Sequence, residues 1–283
     1  DAEQKMPSGS HSSGKVTQVG DRNDAYQFLN GANNGYSAAP KGGPVTVEQQ
    51  GNYNKSDQVF YSTGGSADGN SGYVYQTGDR HIARQDVNGW STDAKINQYG
   101  GNRSEARQDI DGTGNKVHVK QQGSNDYSRQ IADGNGNTVG AVFAGANNDS
   151  YQKANGNDNF QYYSASNHVR NNDVRIVQEG DDNYSHNNVR NSNAVNNDIN
   201  VLQDGNENTL VTKQMTGSNN YIEVRQMGTG NWAGQHPFNN SDNIGILQDG
   251  SGNTAILKQG IGTLTPGSGD WAKMHQIGNN NAA

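Results

Sequence analysis

The chain has no cysteine at all, and only 5 prolines, 5 phenylalanines and 3 tryptophans in 283 residues. Without cysteine there can be neither a disulfide framework nor thiol chemistry. Apolar residues make up 29% and mean hydropathy is −1.02, too little for the thick aliphatic core of an ordinary domain of this length. No stretch approaches the ~20 apolar residues that a membrane span requires. A net charge of −7 argues against nucleic acid, which wants a basic stripe. The 7 histidines are scattered without metal-ligand spacing, and the Gly-Gly-x-Gly-x-Asp nonapeptide of calcium-binding rolls is missing. Carboxylates such as Asp109, Asp111 and Asp133 fall in or near turns, with no clustered basic partner for acid–base work. The reading is no enzyme, no cofactor and no metal.

What the chain does have is glycine in phase. Gly78, Gly89, Gly100, Gly112, Gly123, Gly134, Gly145 and Gly156 follow one another at steps of 11 or 12 residues. A hexad, Gln-x-Gly-x-x-Asn, recurs as Gln18, Gly20, Asn23; Gln49, Gly51, Asn54; Gln178, Gly180, Asn183; and Gln203, Gly205, Asn208. It returns as Gln226, Gly228, Asn231; Gln248, Gly250, Asn253; and Gln276, Gly278, Asn281. Between hexads the residues alternate, as in Asn220, Ile222, Val224, Gln226 with Tyr221, Glu223 and Arg225 between them. Period two means strand, with the first set inward and the second outward. Bulk composition alone would suggest disorder, but a disordered segment has no reason to hold Gly and Asn in register with Val and Ile.

A strand of five or six residues plus a turn fills 11 residues, and two such halves close a coil that stacks on the next. The predicted fold is all-β: a parallel two-sheet β-solenoid, or β-helix, of about 12 coils of ~22 residues over 15–283. Gly supplies positive φ at the reversals, and Asn191 and Asn240 replace it where Asn is tolerated. Inward Asn and Gln would be costly alone, but in a parallel stack the same amide above and below supplies donor and acceptor. Several copies look degenerate. His81 and Thr92 replace the turn Asn, and Leu29, Val87, Ala132, Phe143 and Ala154 stand where Gln is expected, so broken ladders are predicted there. Stacking one coil apart also predicts that like charges avoid the same outward column; a 22-residue step sets Lys116 and Lys120 against Ala94 and Gln98 on one side and Thr138 and Val142 on the other. Segments 38–44, 62–69 and 262–269 interrupt the spacing and read as loops. Residues 1–14 lack alternation and read as a flexible polar leader, ahead of a repeat domain at 15–283.

GDRNDA (Gly20 to Ala25), GTGNWA (Gly228 to Ala233) and LQDGSGNTAILKQ (Leu247 to Gln259) place Ala two residues after the hexad and close a short strand with Gln. This pattern resembles the curlin repeat of bacterial curli fibre subunits. The resemblance implies a protein secreted unfolded through a dedicated outer-membrane channel, then polymerising at the cell surface as a functional amyloid of the biofilm matrix. It implies as partners further copies of the chain, a nucleator subunit, the secretion channel and periplasmic chaperones, and gives residues 1–14 the part of secretion address. Independently of family, hexads that begin at Gln18 and finish at Asn281 leave nothing amphipathic to cap the array, so end coils carrying Gln18, Asn23, Gln276 and Asn281 would template each other head to tail. The alternatives are a non-polymerising solenoid adhesin or a minor nucleator subunit; a polysaccharide-cleaving β-helix and an ice-binding array lack the carboxylate cluster and the phased Thr that they need.

Overall fold

The computed structural model describes residues 1–8, 12–31, 34, 45–62, 69–142, 144–165, 169–189, 195–215, 218–237, 242–259 and 271–283. The loops expected at 38–44 and 262–269, most of that at 62–69, and Phe143, Asn191 and Asn240 lie outside the described residues.

Every described regular element is a strand. Strands go alternately to two sheets along the chain. The odd-numbered ones, Ala2–Ser8 to Trp271–Ile277, form a 12-stranded sheet, and the even-numbered ones, Gly14–Val19 to Thr254–Gln259, an 11-stranded sheet. All strand pairing is parallel between successive members of each sheet, as a coil requires, since the chain must travel through the other sheet before it returns. The protein is a two-sheet parallel β-solenoid. Its step is 22 residues in the middle of the array, between Gln108, Gln130 and Gln152, and widens to 31 between Gln27 and Gln58 and 28 between Gln248 and Gln276.

The interior is thin, because each strand contributes only two or three inward side chains. Asn220, Ile222, Val224 and Gln226 are buried, Tyr221 and Arg225 are exposed and Glu223 is half-buried, as the alternation predicts. The segment read as a leader departs from expectation. Ala2–Ser8 is a strand paired with Asp24–Gly31, Ala2 opposite Ala25 and Gln4 opposite Gln27. The Asp1 ammonium donates to the Asn23 carbonyl at 2.7 Å. A small residue and an amide in the right phase suffice to add a strand here, without the apolar alternation on which the sequence reading relied.

The amide ladders as candidate functional site

The chain turns at two corners, one leading from the second sheet into the first and one leading back. In each turn the hexad Gly has φ near +100°, as Gly20 (104°) and Gly180 (104°), and the residue two further on is also left-handed, as Arg22 (57°) and Asp182 (56°). Glycine is demanded by contact as much as by φ: a Cβ on Gly180 would lie 2.3 Å from the Gly205 carbonyl oxygen of the next coil. The Asn that closes the hexad ties three places together. Asn54 Nδ2 donates to the Gly78 carbonyl of the next coil at 2.8 Å, the Asn54 amide N–H donates to Asn23 Oδ1 at 3.0 Å, and Asn54 Oδ1 accepts from the His81 N–H at 3.0 Å. The same pattern carries Asn183, Asn208, Asn231, Asn253 and Asn281 up the other corner. A buried amide is thereby satisfied by its own image one coil away.

The predicted hexads divide between these corners. Gln18, Gly20, Asn23 and Gln49, Gly51, Asn54 lie at the corner entering the first sheet; the five hexads from Gln178 to Asn281 lie at the other. The motif changes corner partway along the chain.

The Gln residues on the first sheet show the same change. Gln4 Nε2 donates to Gln27 Oε1, and the chain of bonds continues through Gln58, Gln85, Gln108 and Gln130 to Gln152 at 2.6–3.1 Å. A second series runs from Gln178 through Gln203, Gln226 and Gln248 to Gln276 at 2.7–2.9 Å. They occupy different columns. Gln152 is opposite Ile176, whereas Gln178 is opposite Ala154. The expectation of broken ladders at Leu29, Val87, Ala132 and Ala154 is therefore corrected: Gln27, Gln85, Gln130 and Gln152 stand two residues earlier on the same face, leaving the later column to apolar packing. At the change of column the Nε2 of Gln152 and the Oε1 of Gln178 are buried with no partner among the described residues. The second sheet adds a shorter series, Gln18 to Gln49 and Gln49 to Gln76 at 2.7 and 2.8 Å, with Gln121 donating to Gln98 at 2.8 Å.

The hexad search missed Gln27, Gln58, Gln85, Gln108, Gln130 and Gln152. A legible signal was present: each closes a run in which a polar corner residue, a small residue and Gln alternate, as Asn23, Ala25, Gln27; Asn54, Ser56, Gln58; His81, Ala83, Gln85; and Asn148, Ser150, Gln152.

Substitutions at the corner mostly preserve an acceptor. His81, fully buried, takes the Ser104 N–H on Nδ1 at 3.2 Å; Ser104 Oγ takes the Asp126 N–H at 3.3 Å; Asp126 Oδ1 takes the Asn148 N–H at 2.9 Å. The column continues through His81, contrary to the expectation from its identity. Thr92 does interrupt the other corner, since its own N–H reaches Asn70 Oδ1 at 3.1 Å but its buried Oγ1 has no partner among the described residues. Burial pushes the His81 imidazole below its usual pKa and raises that of Asp126 to about 6, against the opposing hydrogen bonds from Asn148.

Outward columns overturn the expectation that like charges avoid one another. Arg84, Arg107 and Arg129 stack in successive strands, as do Asp149, Asp173 and Asp198. Local partners absorb part of the repulsion: Glu105 pairs with Arg107, and the Tyr151 ring lies within cation–π reach of Arg129 and Arg175 at 5.9 and 5.7 Å. The aspartate column responds in its pKa. Burial raises all three, with Asp173 adding to the rise at Asp149 and Asp198. Lys116 is flanked by Asp93 and Thr138, so its lower neighbour is Asp93 and not the Ala94 of a uniform 22-residue step; the actual step there is 23. Lys120 lies over the Tyr99 ring at 5.9 Å.

These features define a class: a parallel β-solenoid whose coils are joined by in-register amide ladders and glycine turns. The curlin associated repeat matches residues 217–260 of the chain. Those residues hold the hexads Gln226 to Asn231 and Gln248 to Asn253 together with both sheets of the coils they close. No curated protein matches the chain.

Proposed function

We propose that this protein is a structural subunit of an extracellular, curli-like functional amyloid fibre serving biofilm matrix, adhesion and surface colonisation, and that it assembles head to tail with copies of itself. The observation that carries the reading is the polarity and self-likeness of the ladders. Within each first-sheet series Gln donates Nε2 to the next coil and accepts on Oε1 from the one before, while each corner Asn donates its backbone N–H to the coil before and accepts on Oδ1 from the next. What a coil presents on one side is what it accepts on the other, so coil-on-coil growth between molecules uses the contacts that hold one molecule together. The repeat at 217–260 supports the same reading through its family. A nucleator subunit, a secretion channel and periplasmic chaperones belong to the proposal through that family, as does a secretion role for residues 1–14.

Incubating the purified chain and following it by amyloid-dye fluorescence and negative-stain microscopy tests the proposal. Unbranched fibres that seed fresh protein are expected. A chain that stays monomeric at high concentration for days would favour the second reading, a non-polymerising solenoid adhesin.

A further inference from the structure

The two outer faces differ in chemistry. On the first sheet the outward columns carry charges of both signs, including Arg84, Arg107, Arg129 and the three stacked aspartates. On the second sheet, over the six strands from Thr138–Gly140 to Thr254–Gln259, the first two outward columns hold no formally charged residue. One column runs Thr138, Phe160, Tyr184, Thr209, Trp232, Thr254; the other runs Gly140, Tyr162, His186, Val211, Gly234, Ile256.

Rings on this face meet one another across neighbouring strands. Phe160 and Tyr184 stack at 4.9 Å with planes 8° apart, and Tyr162 meets His186 edge-on at 5.2 Å. The two glycines make room for rings: a Cβ on Gly140 would meet Tyr162 at 3.2 Å and one on Gly234 would meet Trp232 at 2.5 Å. The result is a strip of aromatic, Thr and aliphatic groups, with Ile256 exposed at its end.

We infer that this strip is the lateral contact between fibres, and that its occupant is the same strip of a second copy in a neighbouring filament. The inference rests on the fibre reading above. Two observations select this occupant. Pairing these two columns with themselves brings no formally charged residue into the contact, whereas placing them on the first sheet's outer face would bury columns of like charge. The area then fixes when pairing happens. Six strands at about 4.8 Å and a strip about 10 Å wide give roughly 300 Å² per molecule, far below the ~800 Å² per partner of a stable complex. Single molecules therefore do not pair through it, while filaments, which repeat the strip along their length, do.

Charge placed on the strip tests this. Tyr162→Lys with Val211→Lys sets ammonium groups into the contact, and Leu202→Lys, outward on the first sheet, adds the same kind of charge elsewhere. Seeded elongation, filament width in negative stain and low-speed pelleting are measured on all three chains. The expected result is similar elongation throughout, with bundles in the parent and in Leu202→Lys and single filaments in the double variant. Bundling by the double variant, debundling by Leu202→Lys to the same degree, or dimers of the unpolymerised parent would each overturn the inference while leaving the fibre reading intact. Loss of binding to insoluble polysaccharide with bundling unchanged would assign the strip to a glycan instead. A parent that forms no fibres would overturn both readings, and the microscopy distinguishes that outcome from the others.

Discussion

A buried Asn is replaced in this corner column by whatever else keeps an acceptor aimed at the next coil, and the replacement brings titration with it. Asp126 is the strongest case, its pKa raised to about 6 mainly by burial. Because the folded state holds this proton more tightly than the unfolded chain, the associated stability is fully present below the unfolded value near 3.8 and is lost as pH rises through about 6. The shift corresponds to about 3 kcal/mol at neutral pH. Asp126→Asn, which keeps the acceptor and removes the charge, is expected to raise the denaturant midpoint at pH 7.5 and to flatten its dependence between pH 4 and 7; an unchanged profile would show that the carboxylate is not held in the stack. His81 acts with opposite sign. Its lowered pKa means that stability present above the usual imidazole range is lost as pH falls. His81→Asn restores the repeat amide and is predicted to remove acid sensitivity between pH 6 and 4 while leaving stability at pH 8 within about 1 kcal/mol. Proton titration of the imidazole and unfolding curves at the two pH values check it. Strain is a further residue-scale cost. Tyr53 and Glu207 hold φ of 59° and 58°, positions that Gly114 and Gly252 fill elsewhere. Glu207→Gly is expected to gain up to about 1 kcal/mol in unfolding free energy, and a loss of that size would contradict the account of the turn.

At the scale of the strand, the change of ladder column between Gln152 and Gln178 is a weak plane of the stack, because a donor and an acceptor face it unpaired. Ile176 is opposite Gln152 in the neighbouring strand, so Ile176→Gln offers Gln152 Nε2 the acceptor it lacks. Val201→Gln puts an amide among Ile176, Val224 and other apolar groups with no rung to join. The first substitution is predicted to cost about 1–2 kcal/mol less than the second in equilibrium unfolding; equal costs would mean that the ladder bonds do not cooperate across the plane. This plane also explains how far the fold could be read in advance. The sheet pairing, inward phase and turn glycines followed from alternation and Gly-x-x-Asn spacing alone, because each depends on neighbours along the chain. The column change was legible only in part: Gln27 stands four residues after the corner Asn23 and Gln178 six after Asn172, but which strand each faces is set by coil stacking. The strand at Ala2–Ser8 was illegible for a related reason: its inward residues include Ala2 and Gln4, which read as polar leader until Ala25 and Gln27 lie beside them.

For the molecule as a whole, stability is spread along one axis, each coil held by its neighbours through backbone bonds and amides, with a narrow apolar filling. Among the described residues ion pairs are few and surface-lying, such as Glu223–Arg225 at 3.0 Å, so salt has little to screen. Fibres of this chain are expected to persist from low to high ionic strength, and fibres that dissolve merely on raising salt would contradict ladder-based assembly. The stacked aspartates give the one electrostatic dependence expected of assembly. Burial raises their pKa values, so repulsion along the column is relieved as pH falls into the carboxylate range, and elongation should quicken there.

The central claim is that the coil-to-coil geometry within a molecule continues between molecules. Fibre diffraction from aligned, salt-washed fibres of the 283-residue chain measures this directly. The account predicts a sharp meridional reflection near 4.7–4.8 Å with an equatorial one near 10 Å, because strands run across the fibre axis in both sheets. Fibres lacking the meridional reflection, or showing it along the equator, would contradict head-to-tail continuation of the solenoid.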